Sequence, residues 1–422
     1  MGIESLEQRL PLAGDVTLGF DNGTLTITGD AQGNQILVSE YRNQIMVSPS
    51  PLEMNGHTRL RVGTVVGLPH ALFGRVQNIV VDLRGGNDVL TMRGSETKPL
   101  DFLALTVNLG GGNNTLTAQG INLAQSAIVR AGGGIDSIEL DQVTVQGSTS
   151  IQAGNGDNRI RVSRSWLVGP VEVIGGLNND RIDIHEISAS TLRLRAGDGH
   201  DTIAIESSTV DVLLDIATGA GHDRVGIHQV QGPAAFVVNT GDGNDVVTGS
   251  DWSLGPRSLT VNLGSGQNEA RFNGVTIGGP MTVTAGVGQD AIDLRNVSVE
   301  KLLTINPGHG NNRVTVTQLS ALSVQITTGQ GADQVSLLHG RSGEIYVQTG
   351  AGADQVAILG IEANGISVGL GAGDDVMTLQ WNHFRRRPWF DGGAGRDTVR
   401  YMTTELGTRF FFGFEVLEQI MI

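Results

Sequence analysis

Fifteen versions of a Gly-x-Gly-x-Asp/Asn motif run from Arg84 to Asp397, and the distance between them hardly changes. The closing positions are Asp88, Asn114, Asp136, Asn158, Asp180, Asp201, Asp223, Asp245, Asn268, Asp290, Asn312, Asp333, Asp354, Asp375 and Asp397. After a first step of 26 residues, every step is 21, 22 or 23. A fixed period in this range marks a solenoid, in which each repeat is one coil that buries its apolar face only against its neighbours. A length of 422 residues would otherwise suggest two or three domains. The repeat replaces that expectation with one long domain, because solenoids grow along an axis without starting new cores.

The pattern around each motif gives the shape of one coil. Three residues before the first motif position stand Val81, Val107, Val129, Ile151, Val173, Leu194, Ile216, Val238, Val261, Val283, Ile305, Ile326, Val347, Val368 and Phe390, all apolar. Two and four residues after the Asp/Asn stand pairs such as Ile138 and Leu140, Ile160 and Val162, Ile203 and Ile205, and Val314 and Val316. Alternation on both sides of a glycine turn predicts two strands per coil with one face inward. The remaining stretch carries single apolar residues such as Val143, Ile187, Val230 and Val297, which predicts a third, shorter side. The fold class expected is therefore all-β: a single-stranded parallel β-helix of about 22 residues per coil and roughly fifteen coils, with non-repeat end caps. Stacking at ~4.8 Å would make a rod on the order of 70 Å.

The expected domains are residues 1–13 as an N-terminal segment, 14–75 as a β cap, 76–400 as the parallel β-helix repeats and 401–422 as a C-terminal cap. Exposed strand edges aggregate unless covered, and both flanks suit that role. Residues 14–75 contain strands outside the repeat, including Thr24 to Thr28 and a hairpin from Gln35 to Val47 turning near Arg42-Asn43. At the other end Phe410, Phe411, Phe412 and Phe414 are too bulky for the narrow coil and read as a plug over its last turn, with an exposed binding patch as the alternative.

Composition narrows the function. The net charge of -15 argues against nucleic acid, whose phosphates need a basic partner, and favours cations or simple solubility. With no cysteine, disulfides and thiolate metal sites are impossible. No apolar run approaches the roughly 18 residues of a membrane span. Residues 1–12 lack the basic and apolar regions of a signal peptide, so the expectation is that a leader was removed or was never there.

Two resemblances add to this. Gly392-Gly393-Ala394-Gly395-Arg396-Asp397-Thr398-Val399 matches the pattern G-G-x-G-x-D-x-U of the RTX calcium-binding repeats, and most other copies resemble its G-x-G-x-D core. RTX rolls repeat it every nine residues, whereas here it returns every 22 or so, so the resemblance implies at most one ion column along a single corner. Leu6-Glu7-Gln8-Arg9-Leu10-Pro11-Leu12 resembles the LEPR-XLL segment near the N-terminus of large exported bacterial repeat proteins, with Gln8 in place of a proline and Pro11 in place of a leucine. That resemblance implies a secreted or cell-surface destination in a bacterium.

The corner itself carries the candidate site. Glycine permits positive φ there, and the carbonyls such a turn leaves free, with an Asp carboxylate, are the hard oxygen ligands Ca²⁺ prefers. Stacked carboxylates ~4.8 Å apart repel by roughly 1 kcal/mol in water and more near protein. Calcium between coils would offset this, and the expected ligands are the all-Asp runs Asp180, Asp201, Asp223 and Asp245, and Asp333, Asp354, Asp375 and Asp397. The alternative is that Asp and Asn simply hydrogen-bond to backbone amides, where either residue serves. Asn114, Asn158, Asn268 and Asn312 favour that alternative.

Elsewhere, His200 and His222 hold equivalent positions on successive coils, as a shared transition metal or plain polar surface would have them. Trp166, Trp252 and Trp381 fall on the variable side, as sugar platforms or as scattered corner aromatics. Arg385-Arg386-Arg387 with Trp381, His383 and Trp389 reads as an anion or partner contact, or as an inserted loop capping the last coils. No nucleophile elbow, metalloprotease motif, phosphate loop or dinucleotide fingerprint is present. The function expected is an extracellular structural or adhesive solenoid that meets cell-surface glycans or other surface proteins. A β-helix lyase or glycosidase is the alternative; it would have to use a set such as Asp141, Arg164, His185 and Glu186.

Overall fold

The computed structural model describes residues 14–50, 58–95, 97–402 and 410–420. The LEPR-XLL-like segment at 6–12 lies outside the described residues. The fold is all-β, with no α-helix among the described residues. The chain divides into two units, residues 1–197 and 198–422, and each is a parallel β-solenoid.

The stacking register equals the sequence period. In the first unit Leu116 pairs with Leu90 and Ile138, and Ile138 with Ile160. In the second unit one row runs Ala270, Ile292, Val314, Val335, Val356, Met377 and Val399. All fifteen apolar residues that precede the motifs are buried, so the alternation predicted from sequence does face one core within each unit. Val143, Ile187, Val230 and Val297 are buried as well, which supplies the third side. The many Val and Ile side chains in these rows suit this pattern, because β-branched residues pack well on a pleated surface.

Motif turns stack in one column within each unit, through bridges such as Gly85 to Gly111 and Ala351 to Ala372. The third motif glycine is required by close approach. At Gly266 φ is +127° and a Cβ would lie 1.7 Å from the carbonyl oxygen of Gly243 in the coil before. Asn178, which stands at that position in one coil, takes φ of 81°.

A second corner was not visible in the sequence. Six residues after thirteen of the motif positions, from Asn114 to Asp375, the chain again turns through the left-handed region, at Gly120, Gln142, Arg164 and Glu186 in the first unit. In the second unit the same place is held by Ser207, Gln229, Asp251, Gly274, Asn296, Gln318, His339, Gly360 and Trp381. Ten of these thirteen are not glycine, so composition hides a conformation that every one of these coils adopts.

The flanks extend the stack. Thr24–Thr28 and Gln35–Tyr41 pair in parallel with Asn78–Asp82 and Val89–Arg93 of the first repeat coil. Antiparallel partners Asp15–Asp21 and Gln44–Pro49 then close this layer, the second through the Arg42-Asn43 turn with φ of 52° and 64°. At the other end Phe411 lies over Phe390 at 5.7 Å and against Tyr401 at 5.1 Å, capping the core of the last repeat, while Phe412 is half exposed.

Candidate functional site

The motif Asp/Asn side chains form a buried hydrogen-bonded column. Each accepts, through Oδ1, the backbone N–H of the equivalent residue one coil earlier. In the first unit the order is Asn34 to Asp88 at 2.6 Å, Asp88 to Asn114, Asn114 to Asp136, Asp136 to Asn158 and Asn158 to Asp180. In the second it runs from the Asp201 N–H through Asp223, Asp245, Asn268, Asp290, Asn312, Asp333, Asp354 and Asp375 to Asp397, every bond between 2.7 and 2.9 Å except one of 3.0 Å. Asp397 in turn donates its N–H to Oε2 of Glu415. Asn34 and Glu415 are column members that the motif spacing did not reveal. The only sequence signal for Asn34 is the Gly33-Asn34 pair ahead of the alternating Gln35 to Val38.

What differs along the column is the second terminal atom. In Asn114, Asn158, Asn268 and Asn312, Nδ2 donates to two carbonyls of the residue's own turn, for example Gly154 and Gly156, both 2.9 Å from Asn158. In Asp88, Asp136, Asp223, Asp245, Asp290, Asp333, Asp354, Asp375 and Asp397 the corresponding Oδ2 is buried without a hydrogen-bond partner. Burial, which penalises the charged form, pushes up the carboxyls of Asp88, Asp136, Asp245, Asp290, Asp333, Asp354, Asp375 and Asp397. Asp88, Asp180, Asp290 and Asp375 reach about 6 from the ordinary 3.8, against the lowering by their backbone amide bonds. For Asp245, Asp333 and Asp354 burial again dominates, and the neighbouring hydroxyls of Thr240, Thr328 and Thr349 pull the other way.

All eight aspartates expected to bind calcium lie in this column and are buried. Their donor set is one carboxylate oxygen per coil with hard carbonyl oxygens beside it, which suits Ca²⁺ in type. Among the described residues no group of three or more His, Asp or Glu side chains converges as a metal cluster. Any ion held here would therefore depend on main-chain oxygens for most of its ligands.

A second column runs on the outside of the same turn, in the reverse sense. The residue before the motif Asp/Asn accepts the N–H of the following coil: Asn87 from Asn113, Asn113 from Ile135, Asp157 from Asn179, Asn244 from Gln267, Asn311 from Ala332 and Asp374 from Arg396. His200 and His222 belong to this series. Their Nδ1 atoms accept the N–H groups of His222 and Asn244, both at 2.8 Å, and the rings stack 4.9 Å apart and 4° from parallel. Parallel rings aim their outer nitrogens side by side and not at a common point, so the pair is built as a hydrogen-bonded ring stack.

The lateral set Asp141, Arg164, His185 and Glu186 resolves into corner contacts. Asp141 accepts from Arg164 Nε at 2.8 Å, from Arg164 Nη2, from Ser163 at 2.9 Å and from Gln119 at 3.2 Å. Burial raises its pKa, but these bonds and the Arg164 charge together outweigh burial and hold it below the usual carboxylate range. Such a group is a poor general acid. His185 meets Glu186 at 3.5 Å.

The tryptophans part company. Trp166 and Trp381 are exposed, whereas Trp252 is buried in the core. Arg385 and Arg386 donate their backbone N–H groups to Ala363 and Asn364, and the Arg386 guanidinium pairs with Glu344 at 2.7 Å. This loop, with Asn382, Phe384, Arg387, Pro388 and Phe410, lines a cleft of about 230 Å³. Comparison with protein-family models, with curated proteins and with solved structures found no match to this chain.

Proposed function

We propose that this chain is a structural and adhesive β-solenoid of the bacterial cell exterior, whose motif corner is a stabilising spine and whose lateral faces meet glycans or other surface proteins. The observation that supports it is the spine: in each unit every coil gives a buried side chain to satisfying the backbone of its neighbour. The RTX-like corners and the LEPR-XLL-like segment at 6–12 support the exported setting. Calcium is the counter-ion proposed for the all-Asp runs. The unpartnered Oδ2 atoms of Asp223 and Asp245, and of Asp333, Asp354, Asp375 and Asp397, support that reading. When bound, the ion would supply positive charge where carboxylates stack.

The test is a set of circular dichroism melts in excess chelator and in millimolar calcium. Each coil buries several Val, Ile or Leu side chains, each contributing roughly 1.5–3 kcal/mol, so the chelated protein should remain β-rich. Calcium should raise the unfolding temperature, and replacing Asp333, Asp354 and Asp375 by Asn should abolish that response. A random-coil spectrum in chelator would overturn the self-sufficient core, and melts identical with and without calcium would remove the ion alone. Oligosaccharide release from pectin or alginate, lost on Asp141→Asn, would favour an enzyme instead.

A further inference from the structure

Three aspartates of the inner column stand apart from the all-Asp runs. Asp88 lies between Asn34 and Asn114, Asp136 between Asn114 and Asn158, and Asp290 between Asn268 and Asn312. On both sides, then, each is hydrogen-bonded to a neutral amide. Through Oδ1 the three accept the N–H of the coil before at 2.6, 2.9 and 2.9 Å, as their neighbours do, and Asp88 Oδ1 also accepts from Asn34 Nδ2 at 3.0 Å. The flanking asparagines use the other terminal atom as a donor: Asn34 toward Gln32, Asn114 toward Gly110 and Gly112, Asn158 toward Gly154 and Gly156, Asn268 toward Gly264 and Gly266, Asn312 toward Gly308 and Gly310.

Where asparagine has that donor, aspartate has Oδ2. In Asp88, Asp136 and Asp290 this oxygen is buried and has no partner. An ionised carboxylate only accepts, and the groups at the equivalent places of its own turn are also acceptors: the carbonyls of Arg84 and Gly86, of Gly132 and Gly134, or of Gly286 and Gly288. Acceptor against acceptor, out of contact with water, is costly. One proton on Oδ2 turns the same contact into the bond that asparagine makes.

We infer that in mildly acidic medium Asp88, Asp136 and Asp290 carry a proton in the folded protein and donate it through Oδ2 to carbonyls of their own turns, so that these coils are latches that loosen as the medium approaches neutrality. Burial drives this, lifting Asp88 and Asp290 to about 6 and Asp136 in the same direction, while the amide bonds from Asn34, Asn268 and Asn114 oppose it. Asp30, whose charge raises Asp88 further, is the one titratable group that acts on the three among the described residues. A pKa raised on folding means that the folded chain binds the proton more tightly than the unfolded chain. The latch therefore contributes fully below the ordinary 3.8 and is lost as pH rises through about 6. None of this depends on calcium, since the three side chains touch none of the proposed ion ligands.

The experiment compares the wild-type protein with Asp88→Asn and Asp290→Asn, each made singly. Denaturant unfolding is followed at pH 5 and pH 8, with amide hydrogen exchange read by mass spectrometry on the peptides of the altered coil. For a group lifted to about 6, linkage raises the unfolding equilibrium constant about tenfold between those two pH values. Each Asn variant should lose that factor, and at pH 8 its coil should be better protected than in the wild-type protein. Asn variants less protected than wild type at pH 8, or a pH 5 to pH 8 change identical in variant and wild type, would overturn the inference.

Discussion

The indole of Trp252 occupies the space that Gly249 leaves inside the coil. A Cβ on Gly249 would come within 2.2 Å of the ring. Gly249 stands in an inward row between Ile227 and Phe272, where a side chain would otherwise point to the core. Trp252 fills the gap from the corner, donates Nε1–H to the Ile227 carbonyl at 2.8 Å and packs between Phe236 and Phe272 at 5.9 and 5.2 Å.

Gly249→Ala should therefore destabilise the second unit by about 1–3 kcal/mol through overpacking, although alanine suits a strand better than glycine. Trp252→Ala should cost about 3–5 kcal/mol. Denaturant unfolding measures both. A neutral Gly249→Ala would mean that the ring has room to move.

Loss of one inner-column amide should be felt on both sides. Asn312→Ala removes the acceptor of the Asp290 N–H and the two donors to Gly308 and Gly310. An orphaned buried polar group costs about 1–3 kcal/mol, so hydrogen exchange should accelerate in this coil and the one before it while distant coils keep their protection. Uniform acceleration along the chain would argue against nearest-neighbour coupling.

The second corner offers stabilising substitutions. Gln318 is exposed with φ of 56°, a conformation that disfavours most side chains by about 1–2 kcal/mol relative to glycine. Gln318→Gly should gain up to about 1 kcal/mol after the entropy of the freer unfolded chain is subtracted. In the opposite direction Gly274→Ala, at φ of 69° with Asp251 Oδ1 3.2 Å from the new Cβ, should destabilise. Thermal melts that rank these two variants in the reverse order would refute the strain argument.

Asp141 should show a pH dependence of the opposite sign from the buried column. Its carboxyl is held below the ordinary range, so its contribution is present above the unfolded value and is lost as pH falls through the folded one. Asp141→Asn should weaken the first unit at pH 7 by about 1 kcal/mol, because half of the Arg164 side chain remains in water. Variant and wild type should converge in acid. A constant difference from pH 7 to pH 3 would show that shape, not charge, holds this corner.

Much of the architecture was legible because the code for it is local. The step of about 22 residues equals the stacking register, and the apolar residues flanking each motif are buried as their alternation requires. The motif corner was legible too, since only glycine tolerates the approach seen at Gly266. The flanks were less so. Asn34 and Glu415 join the column without the motif, because coil geometry and not a glycine signature brings them into line.

Sequence alone determined the coil, its core and the place of the acidic column, because period and polarity are properties of neighbours along the chain. Only the tertiary structure decided what the column does. Which terminal oxygen meets an amide and which is left buried depends on contacts between residues one coil apart, as Asn268 and Asp290 show, and Asp and Asn are interchangeable until that contact exists. Trp252 inside and Trp166 outside, or a left-handed corner at Gln318 and Glu186, likewise follow from space and backbone path set by adjacent coils. No composition rule distinguishes them.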